Sequence, residues 1–126
     1  MVLLQSEARK LKSGDAAPDF SLIGTDGKMH RLSDYKGARA LVVVFTCNHC
    51  PYAQAKFERM NEISEKYSKF SVKMAAINPN DAKSYPDDSL ENMKKVAGEK
   101  GFKFDYLYDE TQEVAKKYGA VCTPDP

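Results

Sequence analysis

Residues 40–45 read Ala-Leu-Val-Val-Val-Phe, an unbroken apolar run, and after Thr46 come Cys47-Asn48-His49-Cys50. A run of that length and β-branched content predicts a strand covered on both faces, placed centrally in a sheet. Beyond the cysteines, Ala53, Phe57, Met60, Ile63 and Tyr67 recur every three or four positions with charged and amide residues between them. That spacing predicts an amphipathic helix over 50–67. A cysteine pair between a buried strand and a helix is the feature that most narrows the choice of fold.

The rest of the chain supplies the partners such a strand requires. Asp26-Gly27, a pair that readily takes positive φ, separates Phe20-Ser21-Leu22 from Lys28 to Leu32 and predicts an N-terminal hairpin. Phe70 to Ile77 predicts a second strand parallel to the first, stopped by Asn78-Pro79-Asn80-Asp81. Asp81 to Ser89 is a surface loop, Ser89 to Lys100 a capped helix, and Phe104 to Tyr108 a short strand. Asp109 then caps a helix that runs through Tyr118 and ends at Gly119. Strand and helix in alternation give an α/β domain with helices on both faces of a parallel sheet. Sites in such sheets form at the carboxyl ends of the strands, where Thr46-Cys47 and Asn78 to Asp81 emerge.

With 126 residues, 42% of them hydrophobic, the chain has material for one domain spanning 1–126. The 19 basic and 18 acidic side chains are mixed along it and sum to +1, which argues against a nucleic-acid partner. Val2-Leu3-Leu4 is the only apolar run before residue 12, too short for a signal peptide or a membrane segment, so the expected location is cytoplasmic.

Three cysteines, Cys47, Cys50 and Cys122, do not make a secreted disulfide framework and point instead to redox chemistry or metal. At the start of a helix, the first sulfur meets unpaired N–H groups and the positive end of the helix dipole, so Cys47 is the expected nucleophile. Cys50 is near enough to resolve a mixed disulfide formed there. Asn48 and His49, with Thr46 before the pair, are the expected tuning residues. A protonated or hydrogen-bond-donating His49 lowers the thiol pKa; the alternative is an exposed residue with no such role. His30, in the hairpin, is expected on the surface. A structural zinc site needs four ligands, and with no second Cys pair the expectation is no metal and no cofactor beyond the redox-active disulfide itself.

Three stretches together, "GDAAPDFSLIGTDGKMHRLSDYKG", "VVVFTCNHCPY" and "YDETQEVAKKYGAVCTPDP", resemble the thioredoxin-like superfamily from about residue 14 onward. The likeness is closest to its redoxin branch, which holds alkyl hydroperoxide reductase/thiol-specific antioxidant-like and peroxiredoxin-like proteins and membrane-tethered thiol-disulfide proteins. That resemblance implies a thioredoxin-like fold with an N-terminal β-hairpin. It also implies a cis-proline at Thr123-Pro124 facing the cysteine pair, with Thr123 and Pro124 binding an extended substrate; the alternative is an ordinary trans turn. Cys122 is then a possible third redox cysteine or a small buried residue. Thioredoxins carry Trp before the first cysteine and Gly-Pro between the pair, where this chain has Thr46 and Asn48-His49. Their buried carboxylate six residues before the first cysteine is replaced by Leu41, leaving Asp81 as a candidate for its work. The superfamily fold continues past the cis-proline with two strands and a helix, so residues 1–126 are expected to be a fragment, or to have the 40–45 edge covered by a partner chain.

The implied activity is thiol-disulfide oxidoreduction on protein or small-molecule thiols and disulfides, supplied by an upstream reductant such as a thioredoxin system. Two alternatives stand beside it. One is an antioxidant peroxiredoxin-like peroxidase, against which Ala40 and Val44 occupy the positions where that group carries Pro and Thr or Ser. The other is a metal-binding or metallochaperone module using the same cysteines.

Overall fold

The computed structural model describes residues 11–48, 51–80, 82, 83 and 85–120. His49, Cys50, Asp81, Cys122, Thr123 and Pro124 lie outside the described residues. Five strands, β1 (Ser21–Gly24), β2 (Met29–Arg31), β3 (Ala40–Phe45), β4 (Val72–Asn78) and β5 (Asp105–Tyr108), make one sheet in the order β2-β1-β5-β4-β3. β3 and β4 run parallel with Ala40 opposite Val72 and Phe45 opposite Ile77, and β5 joins β4 in parallel. The β1–β2 hairpin adds antiparallel to β5. Its turn closes through Gly27 at φ 80°, and Asp26 accepts the Lys28 N–H at 3.0 Å.

Alternation along β4 divides the core in two. Met74 and Ala76 face one layer with Cys47, Ala53, Phe57, Met60, Met93 and Tyr106. That layer is covered by α1 (Pro51–Ser68) and α2 (Leu90–Glu99). Ala75 and Ile77 face the other, with Phe20, Tyr35, Phe45, Leu107 and Val114. The hairpin and α3 (Glu113–Tyr118) close that side. α2 starts as expected, with the Ser89 hydroxyl accepting the Asn92 N–H at 3.2 Å.

Four expectations are corrected. Among the described residues β3 is an edge strand and not a central one. Its apolar run is satisfied by layers above and below, and face burial carries no information about hydrogen-bonding neighbours. Tyr67 and Phe70, expected in the apolar helix face and the second strand, are 41% and 52% exposed and lie against each other with ring centres 6.2 Å apart. The chain reverses there through Ser71 at φ 60°, which delays β4 to Val72. Asp109 serves α3 from outside it: Gln112 is the N-terminal cap residue, while Asp109 accepts the N–H groups of Val114 and Ala115.

The last correction concerns His30, whose side chain is only 16% exposed. It folds over Gly24, its Nε2 2.9 Å from Asp26 Oδ2 and its Nδ1 3.7 Å from Asp105 Oδ2. A Cβ at Gly24 would stand 2.8 Å from both the imidazole and Asp26 Oδ1, so the missing side chain makes the room.

Candidate functional site

β3 delivers Thr46, Cys47 and Asn48 to the carboxyl end of the sheet, where they are 0%, 1% and 4% exposed. The Thr46 N–H continues the β3–β4 ladder by donating to the Ile77 carbonyl at 2.8 Å. Cys47 is buried within the layer under α1 and α2. Two more strand ends meet it there. Asn78 closes β4, and Tyr106 lies within β5 and reaches the same corner with its hydroxyl.

Asn48 is held on every polar atom that a neighbour can reach. Its backbone N–H donates to Asp88 Oδ1 at 2.6 Å, and its Nδ2 donates to the Asp87 carbonyl at 2.8 Å. Its Oδ1 accepts the Tyr106 hydroxyl at 2.7 Å, and its carbonyl accepts Gln54 Nε2 from α1 at 2.7 Å. Asp88, 0% exposed, is the centre of this junction: it also accepts Asn78 Nδ2 at 3.2 Å and Asn80 Nδ2 at 2.9 Å. It stands at the end of a short 3₁₀ turn, Pro86–Asp88, that leads into α2. A polar cluster excluded from water fixes geometry only when its members are satisfied, and here Asn48 and Asp88 are joined in one network.

The phenol of Tyr106 has its pKa pushed well up, first by burial and then by the negative charges of Asp88 and Cys47, with an Asn78 hydrogen bond working the other way. It therefore stays protonated and remains a donor to Asn48. Thr46 contributes differently. Among the described residues its Oγ1 is the buried side-chain polar atom without a hydrogen-bond partner, beside the cysteine in sequence.

The structure thus brings Thr46, Cys47 and Asn48 together, while the other expected site residues lie outside the described residues. Leu41 is half-buried in β3 and packs with the layer opposite Cys47. The buried carboxylate near the site comes from Asp88, 40 residues beyond Asn48. Asp88, Asn78, Asn80 and Tyr106 were not singled out from sequence as site residues. The available signal was polar residues clustered at a strand end and before a helix, which also describes an ordinary loop and cap.

The family model described as the AhpC/TSA family matches residues 13–126. The thiol-disulfide oxidoreductase ResA of Geobacillus thermodenitrificans (strain NG80-2) is 30% identical over 119 residues, covering 94% of this chain and 64% of that protein. Peroxiredoxin Bcp of Escherichia coli (strain K12) is 28% identical over 109 residues, covering 86% of this chain and 65% of that protein. Among solved structures, an uncharacterized conserved protein from Geobacillus kaustophilus is 51% identical with a TM-score of 0.86, over 89% of this chain and 60% of that one. The chain spans less than two thirds of the length of these relatives. The expected thioredoxin-like fold is what its structural neighbours share.

Proposed function

We propose that this chain, which belongs to the AhpC/TSA family, performs thiol–disulfide exchange with Cys47 as nucleophile and Cys50 as resolving thiol. The observation that carries the reading is the placement of Cys47 at the carboxyl end of β3, directly before α1, with Asn48 pinned beside it. The likeness to ResA supports it. The Cys47 thiolate attacks one sulfur of a substrate disulfide, and the other sulfur leaves as a thiolate. Cys50 then attacks the Cys47 sulfur of the mixed disulfide, expelling the substrate's second thiol and leaving a Cys47–Cys50 disulfide. An external dithiol or two monothiols return the pair to the reduced form. Thr123 and Pro124 are proposed to line the substrate groove, His49 and Thr46 to tune the pair, and a cytoplasmic thiol system to supply electrons.

The test is reduction of insulin by dithiothreitol, comparing the chain with Cys47→Ser. We expect the variant to fall to the uncatalysed rate; equal rates would overturn the reading. A second reading, thiol peroxidase, is favoured by the likeness to Bcp. Against it, Val44, three residues before Cys47, is a buried strand residue with no hydroxyl to polarise a peroxide. Consumption of hydrogen peroxide with a thiol donor at a rate exceeding insulin reduction would make the second reading the better one.

A further inference from the structure

We propose that the trough between α1 and α2 binds an extended polypeptide segment flanking the substrate's disulfide, through polar side chains that suit a peptide backbone of any sequence. The proposal rests on the exchange reading above, because it names the substrate class of that same site. Two adjoining hollows of about 430 and 420 Å³ share Gln54 and Glu99 and form one trough. It begins at Asn48, the residue after the nucleophile, and ends at Asn61. Asn61 closes that end by donating to the Lys100 carbonyl at 3.0 Å and accepting the Lys103 N–H at 2.8 Å. Helix periodicity makes the walls. Gln54, Glu58 and Asn61 recur along one face of α1, and Asn92, Lys95 and Glu99 along one face of α2. Phe57, 2% exposed, and half-buried Val96 add apolar lining. Between Gln54 and Asn61 the helix rises about 10 Å, the length of about three residues of extended chain.

The chemistry of the walls selects the occupant. Gln54 Nε2 is committed to the Asn48 carbonyl at 2.7 Å, and Asn92 Nδ2 to the Pro86 carbonyl at 3.1 Å. Each amide is thereby held in one orientation, and among the described residues no donor reaches Gln54 Oε1 or Asn92 Oδ1. Among the same residues Lys95, Glu58 and Glu99 form no ion pair. Oriented amide acceptors beside an ammonium and two carboxylates match the alternating N–H and C=O groups of an extended backbone. Asp87, Glu58 and Glu99 outnumber Lys95 and Lys100 around the trough, which disfavours a phosphate-bearing ligand. Contacts made to the backbone place no demand on the substrate's side chains, so proteins of unrelated sequence can present a disulfide to the same cysteine.

The experiment compares kcat/KM for dithiothreitol-driven reduction of insulin and of hydroxyethyl disulfide, which is too small to span the trough. It uses the unaltered full chain, the double variant Lys95→Ala with Glu99→Ala, and Glu99→Trp. Removing the rim charges or filling the trough is expected to lower the ratio of the insulin value to the hydroxyethyl disulfide value about fivefold, the worth of one hydrogen bond, through KM rather than kcat. Lys94→Ala, which removes an exposed charge of α2 outside the trough, is expected to leave that ratio in place. A ratio unmoved in both trough variants, or moved as far by Lys94→Ala, would overturn the proposal. Binding is read separately by titrating the unaltered chain with S-methylated insulin B chain, which cannot exchange. The side-chain amide resonances of Gln54 and Asn92 are expected to shift, and to shift less in Glu99→Trp; no shift, or shifts confined to other surfaces, would count against the trough. If the unaltered chain reduces neither disulfide while these resonances shift, the exchange reading falls and the trough stands as a peptide site. If it reduces both with ratio and resonances unmoved, the trough alone falls.

Discussion

Asp88 and Asp109 both stand out of solvent at the carboxyl end of the sheet, 0% and 1% exposed, yet they hold different kinds of structure. Asp109 follows β5 and directs both oxygens to the N–H groups of Val114 and Ala115, five and six residues on. Asp88 directs its oxygens to Asn48, Asn78 and Asn80, and so ties the start of α2 to the ends of β3 and β4. One carboxylate completes a helix within its own segment; the other joins segments that meet only in the folded chain. The difference shows that burial of an acid is not in itself a mark of function. What distinguishes Asp88 is that one of its partners is the backbone of the cysteine turn.

Substitutions can break or sharpen that contrast. Asp88→Ala leaves three donors without an acceptor, and we expect a loss of about 3 kcal/mol or more in urea unfolding, with insulin reduction impaired in the fraction that folds. Asp109→Ala should cost less, about 2 kcal/mol for two released N–H groups, and leave insulin reduction by the folded protein near its original rate. If both variants impaired reduction alike, the distinction between them would be lost.

Asp109 also gives a pH signature. Burial raises its pKa above the usual 3.8 against the pull of the Ala115 and Val114 N–H groups, with Glu113 adding to the rise. The folded state therefore holds this proton more tightly than the unfolded chain. Its contribution is fully present below the usual carboxylate range and is lost as pH rises through the raised value. The melting temperature of the unaltered chain relative to Asp109→Asn should fall across that window.

The smallest effect is expected at a third carboxylate, on the surface. Burial acts upward on Asp26, but hydrogen bonds from His30 and the Lys28 N–H, together with the His30 charge, hold it below 3.8. Its contribution is present above the ordinary value and lost as pH falls through the lowered one. Because the pair is partly solvated, Asp26→Asn should cost about 0.5 kcal/mol or less, read as a small change in the acid limb of a thermal melt.

Much of the architecture was legible because it is written in local patterns. The α1 face at Ala53, Phe57 and Met60, the Asp26-Gly27 turn, the Ser89 cap and the parallel pairing of β3 with β4 all follow from spacing and residue type. The edge position of β3 among the described residues was not legible from the run itself, because an apolar run reports what lies above and below a strand and not what lies beside it; only the family resemblance pointed to an edge at 40–45. The cysteine position was equally plain, with Cys47 and Asn48 at the strand end. Asp88 was hidden since nothing within ten residues of it in sequence resembles a redox site. His30 was misjudged for a related reason: its neighbours in sequence are exposed, but Asp105 of β5 and the bare Gly24 bring it under cover.

The spans closed by the junction around Asn48 have a kinetic consequence. Asp88 reaches it across 40 residues and Tyr106 across 58, so neither contact can form until β4 and β5 have docked. Contacts of such separation are late ones, since the entropy of closing those loops has to be met first by the sheet. During synthesis, therefore, a chain emerging from the ribosome presents Cys47 well before the carboxylate and phenol that surround it in the finished fold. For that interval its sulfur has the reactivity of an ordinary cysteine in an unfolded peptide.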